Sequence, residues 1–243
     1  MEQTLLFADL ESNETNIDYI KNCISDTVNK LGGKLDKDLS RKRAELTLTL
    51  DDASLKFIIP PLEDKVADVI AVNYKYNFFK SFLRTKGLDE LEYELLLCAL
   101  ISADIDEDKR YIRAKIRKST TYSIDGIYNF TLKPLKEKWR EVVSFIPSYF
   151  SYEELKEFVN YLVKEKTGRR VFVDGDKVYD RRFSRLNRVR LTDFNKACVL
   201  REVILSNSGE VELLTKQSQK EEIYLKDFFG DKIFFRKSYF EES

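Results

Sequence analysis

The chain has 243 residues, with 42 Lys and Arg, 42 Asp and Glu, and no histidine. Its formal net charge is zero, so no whole-molecule field draws the protein toward nucleic acid or an anionic membrane. The lack of histidine excludes serine triads, Cys–His dyads and HExxH zinc sites within this chain.

Glycine motifs that bind phosphate are also missing, since neither a P-loop nor a GxGxxG sequence occurs. This disfavours nucleotide-dependent chemistry. We therefore predict a non-enzymatic protein with no cofactor and no metal site. The competing hypothesis is an enzyme that depends on a divalent metal or on a lysine.

The N-terminus and the cysteines indicate the compartment. The first 18 residues carry five acidic residues and no basic one, whereas a secretory signal begins with positive charge. The longest apolar run, Leu95 to Ile101, has seven residues, against about 20 for a membrane-spanning helix. Cys23, Cys98 and Cys198 are widely spaced and odd in number, which is typical of reduced cysteines. We expect a cytoplasmic protein without membrane association.

Residues 1–60 are predicted to form a small α/β unit. The sequence "TLLFA" indicates a short strand, and a helix is expected from about Asn16 to Leu31. The alternation of Leu46, Leu48 and Leu50 with threonine is the period-2 pattern of a half-buried strand. Two consecutive prolines at positions 60 and 61 lack N–H donors, so we place a boundary there.

Residues 61–167 show helical periodicity and are predicted to form a central helical lobe. Its first helix begins at Leu62 and is ended by Gly87. The segment Glu90 to Ile101 is apolar on nearly all sides, which predicts a buried central helix. The charged sequence "KRYIRAKIRK" predicts a surface helix, and Ser151 with Glu154 forms a capping box for the last helix.

The stretch "SIDGIYNFTLKPLKEKW" joins two of these helices. Asp125-Gly126 predicts a turn, "IYNFTL" an extended segment, and Pro134 the first turn of a helix. Trp139 lies on the apolar stripe of that helix, so we predict that its side chain is buried. We interpret the stretch as a packed corner rather than a binding site.

Residues 168–243 are predicted to form a β-hairpin-rich lobe. Asp174-Gly175 between two valine-rich arms is a strong hairpin signal. The sequences "CVLREVILSNSGEVELL" and "EEIYLKDFFGDKIFFRKS" are interpreted as further hairpins, with Ser-Gly and Gly-Asp turns. The whole chain is thus predicted to be α+β, with an α/β unit, a helical lobe and this third lobe in sequence.

The sequence "DIDED", Asp104 to Asp108, places carboxylates at alternate positions, as the start of a calcium loop does. The sixth and twelfth positions of such a loop would be Lys109 and Lys115, where glycine and glutamate are required. We therefore favour acidic residues at a helix N-terminus over metal binding.

Positive charge is concentrated in two segments. Residues 109–140 hold ten basic and two acidic residues, and residues 164–190 hold ten basic and four acidic residues. Arginine interleaved with Phe and Tyr suits contacts with phosphates and bases, although such segments also form solvated faces. The candidate anion-binding or nucleic-acid-binding residues are Arg169, Arg170, Arg181, Arg182, Arg185, Arg188 and Arg190.

The central region resembles the YtxC-like family of sporulation proteins from endospore-forming Firmicutes. The resemblance rests on Asp125-Gly126, Phe130, Leu132-Lys133 and the stretch from Glu157-Phe158 to Val163. It implies a sporulation-associated cytosolic protein of unknown molecular activity, and it carries over no catalytic or ligand residues.

These observations lead to two functional hypotheses. The first is a scaffold or regulator that binds another protein, because a neutral molecule exerts no long-range attraction on a polyanion. The alternative is a nucleic-acid-binding protein that uses the two cationic segments. The sequence leaves the oligomeric state open.

Overall fold

The computed structural model describes residues 2–116, 121–166 and 168–236. Its first elements are β1 (Glu2–Leu10), α1 (Glu14–Lys30), β2 (Lys34–Ser40), β3 (Arg43–Asp51), α2 (Asp52–Val69), α3 (Lys75–Phe82), α4 (Glu90–Ala103) and α5 (Ile105–Ile116). The next are β4 (Thr121–Ser123), α6 (Ile124–Gly126), α7 (Lys133–Phe145), α8 (Tyr152–Glu165), β5 (Arg170–Asp174), β6 (Lys177–Tyr179) and β7 (Arg185–Leu186). The last are α9 (Cys198–Leu205), β8 (Glu210–Leu213), α10 (Gln219–Phe229) and β9 (Ile233–Phe235). Two π-helical segments, Ile70–Tyr74 and Ile127–Thr131, and three 3-10 helices, Glu11–Asn13, Arg188–Leu191 and Gly230–Lys232, complete the set.

Helices and two mixed sheets make an α+β fold, which confirms the predicted class. The chain divides into two compact units, each assembled from two stretches of chain. Unit 1 comprises Met1–Phe78 and Asp106–Glu141, and unit 2 comprises Phe79–Ile105 and Val142–Ser243. None of the helices in the described part of the chain is both long and apolar enough to cross a membrane.

The two units do not follow the three consecutive lobes predicted for residues 1–60, 61–167 and 168–243. The reason is long-range strand pairing. β4 lies parallel to β1 in the same sheet, with Phe7 opposite Tyr122. The sheet of unit 1 is therefore completed only after the chain has contributed α4 to unit 2.

The sheet of unit 1 has the strand order β2-β3-β1-β4. β1 and β3 are antiparallel over their full length, from Glu2 opposite Asp51 to Leu10 opposite Arg43. The leucines at 46, 48 and 50 of β3 are buried, and the residues between them are half-buried. This is the alternation that the sequence predicted for that strand.

The boundary predicted at Pro60-Pro61 is wrong, because both prolines lie inside α2. The helix begins earlier, where the side chain of Asp51 accepts hydrogen bonds from the N–H groups of Ala53 and Ser54. A proline removes the bond to the carbonyl four residues before it. Residues 56 and 57, which carry those carbonyls, are exposed, so water can take the place of the lost donors.

The extended segment predicted at "IYNFTL" is also wrong. Residues Ile127–Thr131 form a π-helical turn, and its tertiary contacts are aromatic. The ring of Tyr128 lies 4.5 Å from that of Tyr74 and 6.2 Å from that of Trp139. Trp139 itself is fully buried, as predicted. Ring packing within unit 1 thus decides the local backbone.

The helix predicted to lie on the surface, α5, carries buried charges. The Asp108 carboxylate, in the first turn of α5, is 2.7 Å from the buried Lys75 ammonium. It also accepts hydrogen bonds from Trp139 Nε1 at 2.9 Å and from Lys138 Nζ at 3.0 Å. A buried carboxylate needs such partners, because an isolated charge in the interior costs several kcal/mol.

We expect the Asp108→Ala variant to lose about 3 to 5 kcal/mol of unfolding free energy, because it removes the carboxylate that pairs with the buried Lys75 ammonium. The matched control is Glu107→Ala, whose side chain is 65% exposed, and its loss should stay within about 0.5 kcal/mol. Urea unfolding followed by Trp139 fluorescence measures both. Equal losses in the two variants would contradict the assignment.

Unit 2 contains the apolar helix α4, whose buried position the sequence predicted. Its five-stranded sheet has the order β7-β6-β5-β8-β9. β5 and β6 form the hairpin predicted at Asp174-Gly175, with Asp174 opposite Lys177 and Gly175 at a positive φ of 58°. β5 pairs in parallel with β8, and β8 pairs in parallel with β9.

The further hairpins predicted in the last 76 residues are wrong, because their first arms, "CVLREVIL" and "EEIYLKDFF", form helices α9 and α10. Their second arms contain strands β8 and β9, as predicted. Parallel strands cannot be joined by a tight turn and need a crossover, which α9 and α10 supply. In α10 the buried residues are Tyr224, Leu225, Phe228 and Phe229, a helical spacing. The many β-branched and aromatic residues hid this spacing in the sequence.

Candidate anion-binding site

An open cleft of about 290 Å³ in unit 2 gathers five of the seven arginines singled out from the sequence. We call it the arginine cleft. Its lining residues are Arg169, Arg170, Val171, Asp180, Arg181, Arg182, Leu186, Arg188, Ser206 and Ser208.

Four short segments of unit 2 bring these side chains together. They are the start of β5, the turn between β6 and β7, the 3-10 helix Arg188–Leu191, and the connection from α9 to β8. The turn is held by Asp180, whose Oδ1 accepts the N–H groups of Arg182 at 2.8 Å and Ser184 at 2.9 Å. This carboxylate therefore orients the backbone that carries Arg181 and Arg182.

Arg170 is a structural member of the cleft. Its Nε lies 2.9 Å from Glu210 Oε2 and its Nη1 lies 3.1 Å from Glu212 Oε2, across the parallel pair of β5 and β8. Its guanidinium also stacks 4.3 Å from the ring centre of Phe234. The hydrogen bond to Glu210, followed by the one to Glu212, raises the pKa of Arg170 above its usual value. Its charge is thus already balanced.

Arg188 also has an internal role, because its Nη1 donates to the Leu205 carbonyl at 3.0 Å. That carbonyl belongs to the last turn of α9, where helix carbonyls lack partners. Arg181 and Arg182 differ from these two. Both are exposed, and no carboxylate within residues 2–116, 121–166 and 168–236 forms an ion pair with either.

Arg185 and Arg190 lie outside the lining of the cleft. Both side chains are exposed. Arg185 is in β7, directly opposite Tyr179 of β6, and so on the same face of the sheet. Arg190 is in the 3-10 helix that follows β7.

Aromatic side chains occupy the outward face of the same sheet. Strand pairing puts Tyr179 opposite Phe172, Phe172 opposite Glu212, and Glu212 opposite Phe234, so these side chains share one face. The ring of Phe183, at the β6–β7 turn, stacks 4.7 Å from that of Phe172 and is 59% exposed. We call Tyr179, Phe172, Phe183 and Phe234 the aromatic row.

The first cationic segment, residues 109–140, is used differently. Lys109 is buried with its Nζ 2.7 Å from Asp68 Oδ1, and Lys138 binds Asp108. Arg117 and Lys118 lie outside the described residues. Lys109 and Lys138 thus serve unit 1 internally. The described part of the chain also holds no group of three or more His, Cys, Asp or Glu residues placed to bind a metal ion.

Sequence reasoning missed Ser206 and Ser208 as lining residues. They lie in "SNSG", which follows α9, and the prediction of a hairpin there drew no attention to the side chains. The sequence feature that could have indicated this connection was Gly209. A Cβ at this position would lie 1.7 Å from the carbonyl oxygen of Lys166, so only glycine allows the connection to pass that close.

No protein-family model, no curated protein and no solved structure matches the chain.

We expect Arg170→Ala to lower the unfolding free energy by about 1 to 2 kcal/mol, since two carboxylates lose their charged hydrogen-bond donor. Arg181→Ala should change it by less than about 0.5 kcal/mol, because no carboxylate of the described chain pairs with Arg181. Urea unfolding of both variants tests the distinction. A larger loss for Arg181→Ala would contradict it.

Proposed function

We propose that unit 2 binds single-stranded nucleic acid, with phosphates in the arginine cleft and bases against the aromatic row. One observation carries this proposal. Arg181 and Arg182, which are exposed and have no carboxylate partner in the described residues, directly precede Phe183, whose exposed ring is stacked on Phe172. Proteins that bind single strands combine cations along the backbone with aromatic rings for the bases.

Local charge supports this function over a protein scaffold. The zero net charge of the whole chain had favoured a protein partner. Within unit 2, however, carboxylates neutralise Arg170 and leave Arg181 and Arg182 available to an external anion. Bidentate guanidinium contacts suit phosphate oxygens, and such contacts release counterions from the nucleic acid.

The shape of the site favours a single strand over a duplex. The aromatic row lies on a sheet face, where rings can stack only on bases that are not already paired and stacked. Phosphate contacts of this kind carry no sequence information. We therefore propose binding with little sequence preference.

The association with sporulation, the cytoplasmic location and a protein partner stay predictions from the sequence. A nucleic-acid-binding module is compatible with a sporulation role. Its activity can be tested without knowing that role.

The salt dependence of binding tests the electrostatic part of the proposal. We expect a 12-nucleotide single strand to bind with an affinity that falls steeply between low and physiological salt. A plot of the logarithm of the association constant against the logarithm of the salt concentration should fall with a slope of about 0.7 per phosphate neutralised. The Arg181→Ala/Arg182→Ala/Arg185→Ala variant should therefore reduce the steepness of this slope by about 2. Fluorescence anisotropy at several salt concentrations gives both slopes.

The matched control is Lys30→Ala/Lys34→Ala/Lys56→Ala, which removes the same charge from exposed positions of unit 1. Its slope should equal that of the wild type. Equal slopes for the two triple variants would refute the assigned surface. No binding even at low salt would refute the function.

Base stacking is tested separately at Phe183. We expect Phe183→Ala to weaken single-strand binding about fivefold or more, because one base–aromatic stack contributes about 1 to 3 kcal/mol. The control is Phe57→Ala in α2, whose side chain is 72% exposed in unit 1. That variant should bind as the wild type does. The same loss in both variants, or in neither, would argue against the aromatic row.

A further inference from the structure

The floor of the arginine cleft contains hydrogen-bond donors that the cleft itself does not satisfy. Ser208 is only 5% exposed, yet it lines the cleft. It has two donors, a backbone N–H and a hydroxyl. Within the described residues, Ser208 Oγ accepts a hydrogen bond from Ser206 Oγ at 2.9 Å, and neither donor of Ser208 has an acceptor. A buried donor normally has an acceptor, so this residue points to an external one.

The backbone at this place forms the C-terminal cap of α9. Ser206 is right-handed helical, with φ −66° and ψ −16°, and Asn207 is left-handed, with φ 57°. A left-handed residue directly after the last helical one is a common way for a helix to end, and its N–H groups then bond to carbonyls of the last turn. The Ser206 and Asn207 N–H groups already bond to Glu202 and Ile204 carbonyls. The Ser208 N–H is the member of the three that is left for a ligand.

The charges around Ser208 suit a dianion. Among the lining residues, Arg181 and Arg182 carry two positive charges without a carboxylate partner in the described chain. The Asp180 carboxylate is engaged by two backbone N–H groups. The C-terminal carbonyls of α9 would repel an anion, but Arg188 donates to the last of them, at Leu205.

We propose that the arginine cleft binds the terminal phosphate monoester of a strand, and this rests on the proposed function. A monoester carries close to two negative charges near neutral pH and presents three terminal oxygens. An internal phosphodiester carries one charge and has two such oxygens. Two guanidinium groups and the donors of Ser208 match the monoester in both charge and number of acceptors.

The test compares three single strands of one sequence: with a 5′-phosphate, with a 3′-phosphate, and with hydroxyls at both ends. Each carries its dye at the end opposite the phosphate, and the buffer contains no phosphate. We expect one phosphorylated strand to bind roughly tenfold tighter than the unphosphorylated strand, as one additional charged contact provides. The end that is preferred identifies the source of the monoester. Millimolar inorganic phosphate should abolish the preference.

Two variants locate the effect. Arg181→Ala/Arg182→Ala should remove the preference for the phosphorylated strand, and Ser208→Ala should reduce it. The control, Arg190→Ala, changes an exposed arginine outside the cleft and should keep it. Melting temperatures show whether each variant is folded. If Ser208→Ala does not fold, the Arg181→Ala/Arg182→Ala variant by itself tests the proposal.

The outcomes separate the two proposals. Equal affinity for all three strands would overturn recognition of a terminal phosphate and leave single-strand binding standing. A preference that survives in Arg181→Ala/Arg182→Ala would also overturn it, because the monoester would then bind elsewhere. Failure of every strand to bind at low salt would remove the proposed function together with this inference.

Discussion

The candidate site depends on the burial of one face of the unit 2 sheet. Val171 and Val173 of β5, Val178 of β6 and Val211 of β8 are all buried. Side chains alternate between the two faces of a strand, so burying these valines turns their neighbours outward. Arg170, Phe172 and Tyr179 thereby reach the opposite face. The aromatic row and the position of Arg170 are thus consequences of where the apolar core of unit 2 lies.

Carboxylate placement then decides which cations are available to a ligand. The chain has as many acidic as basic residues, but they are not paired evenly. In unit 1, Asp68 and Asp108 hold lysines in the interior, and burial makes those pairs costly to break. In unit 2, Glu210 and Glu212 form ion pairs with Arg170, which balance its charge. Arg181 and Arg182 lie on a turn whose one acidic residue, Asp180, is engaged with the backbone.

Local signals predicted several elements correctly. The leucine alternation of β3, the apolar helix α4, the hairpin at Asp174-Gly175 and the burial of Trp139 all follow from short-range patterns. The errors arose where tertiary structure overrides local propensity. α2 continues through Pro60-Pro61 because the carbonyls that lose their donors are on its exposed side. α9 is part of the crossover connection that the parallel pairing of β5 with β8 requires.

The amino-acid sequence by itself determined the α+β class, the lack of histidine in the chain and the set of candidate arginines. Only the tertiary structure decided which arginines share a cleft and which are balanced. Sequence distance does not set these contacts. Arg170 meets Glu210 through a parallel strand pair, and Ser208 reaches the cleft because Gly209 allows close approach to Lys166. Such contacts depend on how distant segments pack, which no local pattern encodes.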